Sequence, residues 1–399
     1  MEMTNPPQRA QEAVGQKPLG QEAISQEAVS QEAVEGVRDA DLVEIVEKAR
    51  GSVAYKATLA FVRASQAKRD AELEAREKLV VLKAEAEAER ARLPRNARRR
   101  DMVREVIENE PAAPENIQHI HSVLALCGLP YREPKGVTNV SREYGRNTLA
   151  INAGRLINPA TGEMEMQGLP YGPKARLLLL HLCTEAVRQR SPKVEVAQSM
   201  SGFIRDMGFP VTGGERGTLK QFKEQLNRLA ACSMQIGLWD GTRASTLNVP
   251  PFRQMDVWLP LHNHPDQGLL WSSTITFHRE FYDNLIQHAL PVDIRAARAF
   301  AGSARKLDLL FWVGYRLSRL ERPLRLTWDN LYKQFGSENG SIRSFRQEFR
   351  KDVAHLTEVF PRLRLTLDDG GMQLLPSDPK DLLVPPKAAL ANKRARARA

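Results

Sequence analysis

One short pattern occurs twice in this chain, and a pattern that recurs in full implies a fold unit that recurs. Residues 213–226 read GGERGTLKQFKEQL and residues 336–349 read GSENGSIRSFRQEF. Gly213 matches Gly336, Glu215 matches Glu338, Gly217 matches Gly340, Thr218 matches Ser341 and Phe222 matches Phe345, all at one constant offset. In each copy a glycine-rich turn ends in a hydroxyl residue suited to an N-cap, and an amphipathic helix follows. The apolar stripe is Leu219, Phe222, Leu226 and Leu229 in the first copy, and Ile342, Phe345, Phe349, Val353 and Leu356 in the second. Both follow the spacing that buries one helix face. The opposite face is polar and basic, with Lys220, Lys223 and Asn227 in one copy and Arg343, Arg346 and Arg350 in the other. A helix that grips a core with one side and carries cations on the other has the form of a DNA-reading helix.

The repetition extends to both sides. Short helices are predicted just upstream, over SGFIRDMG (201–208) and over Trp328 to Gly336. Further back lie two apolar helices, Lys174 to Gln189 and Ala304 to Arg319, in which Leu177, Leu179 and Leu180 correspond to Leu307, Leu309 and Leu310. Downstream, Asp240-Gly241 and Asp369-Gly370 are each expected to close a hairpin, because Asp-Gly suits its tight turn. Arg362, Leu363, Arg364, Leu365 and Leu367 alternate basic with apolar, as a half-buried wing strand would. Helix, helix, turn, helix, strand, strand is the order of a winged helix-turn-helix, and the expectation is two in tandem.

The 399 residues provide material for two or three domains. Lys and Arg number 58 against 48 Asp and Glu, a formal charge of +10 that suits a polyanionic partner. No apolar run approaches the ~20 residues that span a bilayer, and Met1-Glu2-Met3 opens no signal peptide, so a cytoplasmic location is expected. Cys127, Cys183 and Cys232 are widely spaced in apolar contexts and read as buried small hydrophobes rather than disulfides or metal ligands.

The predicted fold class is mostly α with small β-hairpins (α+β), arranged in five segments. Residues 1–36 contain a five-residue repeat beginning at Gln11, Gln16, Gln21, Gln26 and Gln31, read as low-complexity and disordered. Residues 37–110 form a charged helical arm, polar nearly all round from Gln66 to Arg92, with a stop at Pro94 and a basic cluster at Arg95, Arg98, Arg99 and Arg100. Residues 111–290 hold the first winged-helix domain with an N-terminal extension, residues 291–380 the second, and residues 381–399 a basic tail ending in Lys393 to Arg398.

The segment Gly168-Leu169-Pro170-Tyr171-Gly172-Pro173-Lys174-Ala175-Arg176, running into Leu177–Leu180 and Thr184-Glu185-Ala186-Val187, resembles the plasmid-encoded RepA-type replication proteins. Cys127 to Arg132 and the Gly213-Gly214 pair fit the same family. The resemblance spans roughly residues 115–380 and leaves the N-terminal hundred outside it. It implies a bacterial plasmid initiator that binds repeated double-stranded sites at an origin and opens adjacent A/T-rich DNA. It also implies recruitment of host helicase or initiator proteins, and copy-number control by dimerising. A nucleoid- or plasmid-associated location goes with that role. Carried onto this chain, the reading positions are Lys220, Lys223 and Asn227 in the first third helix, and Ser341, Arg343, Ser344, Arg346, Gln347 and Arg350 in the second. Arg343, Ser344 and Gln347 suit base edges, since Arg pairs bidentately with guanine and Gln with adenine. Lys220 and Lys223 suit phosphates. Arg243, Arg362 and Arg364, on the expected wings, would reach flanking backbone.

Two rival readings use the same residues. A transcription repressor would share the DNA-binding units. A nicking initiator would need a Tyr nucleophile beside a His-hydrophobic-His metal site, and His119-Ile120-His121 with Tyr131 and Tyr144 matches that literally. Ile117, Ile120, Val123, Leu124 and Cys127 recur at helical spacing, however, and on a helix positions i and i+2 diverge by ~200°. His262-Asn263-His264 reads as loop surface, and no P-loop pattern occurs. No enzyme, cofactor or metal is therefore expected.

Overall fold

The structure is a computed structural model that describes residues 36–110, 113–145, 147–158, 161–195, 199–214, 216–239, 241–242, 244–256, 274–336, 338–378 and 382. The five-residue repeats, Arg243, His262-Asn263-His264 and the tail from Lys393 lie outside these residues. The chain divides into two compact bodies, residues 1–92 and 93–399.

The smaller body is a helical hairpin of α1 (Ala40–Ala49) and α2 (Tyr55–Arg92). Its core is small, with Val37, Leu42, Val46 and Val62 buried. Polar contacts do the remaining work at the turn. The Gln66 side-chain oxygen accepts the backbone N–H groups of Arg38 and Asp39 at 3.1 and 3.0 Å, and Arg69 bridges Asp39 and Asp41, each at 2.7 Å. From Ala71 to Glu89 every residue of α2 is exposed, including the consecutive apolar run Leu79-Val80-Val81-Leu82.

The larger body runs α3 (Arg95–Asn109), β1 (Ile117–His121), α4 (Ser122–Cys127), β2 (Asn139–Tyr144), β3 (Asn147–Asn152), β4 (Arg155–Ile157) and β5 (Met164–Met166). It continues with α5 (Gly172–Gln189), β6 (Lys193–Glu195), α6 (Ser199–Asp206), α7 (Thr218–Ala231), β7 (Ser233–Trp239), β8 (Ala244–Val249), β9 (Phe252–Asp256) and β10 (Thr274–Phe277). Then come α8 (Arg279–His288), β11 (Ala289–Asp293), α9 (Ile294–Phe300), α10 (Ala304–Leu317), β12 (Leu324–Thr327), α11 (Trp328–Phe335), α12 (Ile342–Val359), β13 (Leu365–Leu367) and β14 (Gly371–Leu374). This is an α+β architecture, mostly helical with small antiparallel sheets.

The duplication is visible in the sheets. In the second unit β12 follows the first helix, α10, and the sheet order is β12-β14-β13. In the first unit β6 follows α5, and the order is β6-β10-β9. The strand after the first helix thus lies beside the last strand of each unit. This corrects the hairpin assignment made from sequence. Trp239 does pair with Ala244, but β7 and β8 belong to a separate sheet of order β2-β3-β7-β8, and Asp240 itself lies outside the described residues. The counterpart of the Asp369-Gly370 hairpin is β9–β10, and β7–β8 is an insertion. Asp-Gly marks a turn and carries no information about which sheet receives the strands.

A second correction concerns residues 117–121, which form a strand rather than a helix. β1 pairs antiparallel with β11, His119 opposite Pro291 and His121 opposite Ala289. The helical spacing of Ile117, Ile120 and Val123 straddles a strand and the start of α4. Each of these paired strands ends in a residue whose side chain caps the next helix. His121 Nδ1 accepts the Val123 N–H at 3.2 Å, and Asp293 accepts the Arg295 N–H at 2.8 Å. His119 and His121 therefore do share one face of a strand, the arrangement the helical reading had excluded. His121 is fully buried, and its Nε2 lies 2.7 Å from Asn284 Oδ1. Burial lowers its pKa to about 4, so the ring is neutral. With Nδ1 accepting, Nε2 carries the proton and donates to Asn284. Both ring nitrogens are spent on holding the fold.

The two units are joined at their first helices. Arg176 of α5 meets Asp308 of α10 in a bidentate pair of 2.6 and 2.7 Å, with both side chains almost fully buried. The guanidinium also donates to the carbonyls of Leu129, Pro130 and Gly172, so a charge buried this deeply has its donors occupied. Cys127, Cys183 and Cys232 are buried and free, each thiol pushed up to about 12 by burial.

Candidate nucleic-acid interface

Helix α12 begins where the Ser341 hydroxyl accepts the Ser344 N–H at 3.2 Å, so Ser341 is a true N-cap. Its inner stripe locks into an aromatic cluster. Phe345 and Phe349 lie 5.1 Å apart between ring centroids, and Phe335 lies 5.4 Å from Phe349. Each buried phenyl contributes ~1.5–3 kcal/mol, which fixes the rotation of the helix about its axis. That rotation turns Arg343, Ser344, Arg346, Gln347 and Arg350 outward, and all are exposed.

Trp328, the first residue of α11, organises the cationic face. The guanidinium carbons of Arg346 and Arg350 lie 5.4 and 5.2 Å from its ring centroid. The Trp328 indole N–H donates to the Asp368 carbonyl at 3.2 Å, tying the helix pair to the β13–β14 turn. In that turn the Asp368 carboxylate accepts the N–H groups of Gly370 and Gly371 at 2.8 and 3.0 Å and pairs with Arg325 at 2.6 Å. Arg325 holds the Asp368 carboxyl below its ordinary range. Arg350 reaches the turn as well, at 3.4 Å from both the Asp368 carbonyl and Asp369 Oδ1. Arg362 and Arg364 are exposed while Leu363 and Leu365 are buried, the alternation expected of the segment, although the strand itself begins only at Leu365.

Helix α7 is built alike and presented differently. Leu219, Phe222, Leu226 and Leu229 are buried as expected. Thr218 is not its cap; the Thr212 hydroxyl accepts the Thr218 N–H at 3.1 Å, and Gly217 occupies the cap position. Lys220, Lys223 and Asn227 are each half-buried, while the exposed positions are Gln221 and Glu224. Arg228, in the last turn, is held by Glu133 at 2.6 Å and lies 5.0 Å from the Tyr171 ring centroid. The helix packs against β4 and β9 as well as α5. The structure therefore gathers the second-unit residues on one open face beside a hairpin, and leaves Lys220, Lys223 and Asn227 partly covered. Trp328 and Arg325 were missed from sequence. Basic-apolar alternation in Leu324-Arg325-Leu326 is the available signal for Arg325, whereas Trp328 enters the sequence reading only as the start of a short helix. Among the described residues no group of three or more His, Cys, Asp and Glu side chains is placed to hold a metal ion.

Residues 169–330 match the family described as plasmid encoded RepA protein. That segment is similar to the RepA type. The match takes in the first unit and the opening of the second, and it ends within α11, before α12 begins. No curated protein matches the sequence. Solved structures that are similar include two of RctB. One holds domains 2 and 3 of RctB as a selenomethionine derivative, at 10% identity over 63% of this chain and 96% of that one, with a TM-score of 0.41. The other also holds RctB domains 2–3, at 9% identity over 66% of this chain and 100% of that one, with a TM-score of 0.38.

Proposed function

We propose that the chain is a DNA-binding initiator of plasmid replication, built on two winged-helix units and acting without catalysis of its own. The RepA-type segment supports the replication role. The observation that carries DNA binding is the outward face of α12, where Arg343, Ser344, Arg346, Gln347 and Arg350 are all exposed beside the β13–β14 turn. A basic third helix next to a hairpin is how winged helices meet a major groove and its flanking phosphates. In this reading Arg343, Ser344 and Gln347 approach base edges, Arg346 and Arg350 are pre-ordered by Trp328, and Arg362 and Arg364 reach the backbone. The half-buried Lys220, Lys223 and Asn227 supply weaker contacts from the first unit.

Opening of A/T-rich DNA, recruitment of host helicase or initiator proteins and copy-number control belong to the same proposal. A second copy of the chain would cover the exposed Leu79–Leu82 run of α2, giving a homodimer. The proposed location is the cytoplasm, and no described helix is long and apolar enough to cross a membrane. Footprinting on DNA flanking the gene tests the reading. Protection of several directly repeated sites beside an A/T-rich stretch is expected, and protection of no repeated site overturns it.

A further inference from the structure

A second concentration of positive charge lies away from α12, where α3 meets Gly208 after α6 and Gly302 before α10. A cavity of about 240 Å³ opens there, rimmed by Arg95, Arg98, Arg99 and Arg298 and floored by Met102, Val103 and Val106. Among the described residues, no Asp or Glu lines it. Arg295 also borders it, but Asp293 neutralises that guanidinium at 2.9 Å.

Arg99 is the informative member. It is only 9% exposed, and its contacts are the Gly208 carbonyl at 2.9 Å and the face of Phe209, 5.2 Å from the ring centroid, with no carboxylate among them. Arg95 donates to the same carbonyl at 3.0 Å, so two cations converge on one neutral acceptor. Burial, then Arg95 and Arg298, pull the Arg99 pKa down. Two glycines make the space. Gly208 has φ +73°, and a Cβ there would lie 3.3 Å from Arg99 Nε; a Cβ at Gly302 would lie 3.1 Å from Asn96 Oδ1 and 3.7 Å from Arg99 Nη1. A buried guanidinium seated between two turns, with like charges around it and no acid, is an electrostatic cost that an anion would offset.

We propose that this slot is a phosphate-binding site, taking either a backbone phosphodiester of DNA or the phosphates of a free nucleotide. Planar guanidinium forks match phosphate oxygens in geometry and charge, and the apolar floor accepts a sugar or base edge.

The test uses the full chain and the double variant Arg95→Gln/Arg298→Gln, which alters two exposed side chains and leaves Arg99 in place. Arg298→Glu alone is the second variant, should the double one fail to fold by circular dichroism. One arm titrates pyrophosphate calorimetrically at fixed ionic strength. Saturable binding that weakens at least about tenfold in the variant assigns the slot to free phosphates. The other arm measures duplex affinity against salt. A slope of log K on log salt smaller by about 2, with all duplex sequences weakened alike, assigns it to the DNA backbone. A variant unchanged in both arms overturns the proposal. Only the DNA arm rests on the initiator reading. Wild-type protein that binds pyrophosphate but no duplex keeps the slot and sinks that reading. Arg343→Ala, conversely, should relax sequence discrimination and leave pyrophosphate binding intact.

Discussion

The unit from α5 to β10 and the unit from α10 to β14 share an element order and a sheet order, yet they present their third helices differently. In the second, three short strands and a tight turn leave α12 uncovered, with its arginines exposed and Arg346 and Arg350 stacked on Trp328. In the first, an inserted hairpin pairs with β2–β3, the small β4–β5 sheet packs nearby, and α7 keeps its lysines half-buried. What differs is the surroundings rather than the helix, because both stripes bury the same kinds of residue. A basic amphipathic helix presents an open cationic face only where no other element covers it.

The largest expected effect tests whether the two units stand or fall together. Asp308→Asn leaves the Arg176 charge without its partner in the joint between α5 and α10, and a broken buried pair costs about 3–5 kcal/mol. Urea denaturation should show that loss in one transition common to both units. A second unit melting at its wild-type midpoint would mean the joint is not shared.

Acid should act on the first unit more than the second. By the leucine alignment of α5 with α10, His181 stands where the second unit has Phe311. Burial holds the His181 pKa down to about 4, whereas an exposed imidazole titrates at about 6.5. Between those values the unfolded chain binds more protons, so stability is full above about pH 6.5 and is lost as pH falls toward about 4. The loss reaches as much as about 3 kcal/mol for this residue, and His121, similarly shifted, adds a like amount. In His181→Phe the slope of melting temperature against pH should drop to roughly half; an unchanged slope would place the acid sensitivity elsewhere.

For DNA, Arg343→Ala and Arg346→Ala should each weaken binding by at least about 1 kcal/mol, and Lys220→Ala and Lys223→Ala by roughly half that or less. Gel-shift titrations at one salt concentration measure this. Equal losses from the two helices would remove the contrast drawn between the units. The smallest effect concerns the caps. Ser341→Ala should cost about 1 kcal/mol of stability, while Thr218→Ala, which removes no cap, should stay within about 0.5 kcal/mol.

Much of this was legible in local patterns. The stripes of α7 and α12, the apolar first helices and the Asp369-Gly370 turn all follow from residues within a few positions of one another, where period and turn chemistry speak directly. The misreadings share one cause. β1 is a strand because Ala289–Asp293 lies beside it, the β7–β8 hairpin joins β2–β3 because of Asn147–Asn152, and the lysines of α7 are covered by elements distant in the chain. No window of neighbouring residues contains those partners. Arg99 illustrates the same limit: its place in a basic run was plain, but its seat between Gly208 and Gly302 was not.

The pairing of β1 with β11 bears on how the molecule is made. Ile117 is translated long before Asp293, its opposite residue. At about 5–20 residues per second the ribosome needs roughly 9–35 s to cover that interval. For that time the first strand waits with an open hydrogen-bonding edge, and the larger body completes its assembly only when most of the chain has left the exit tunnel.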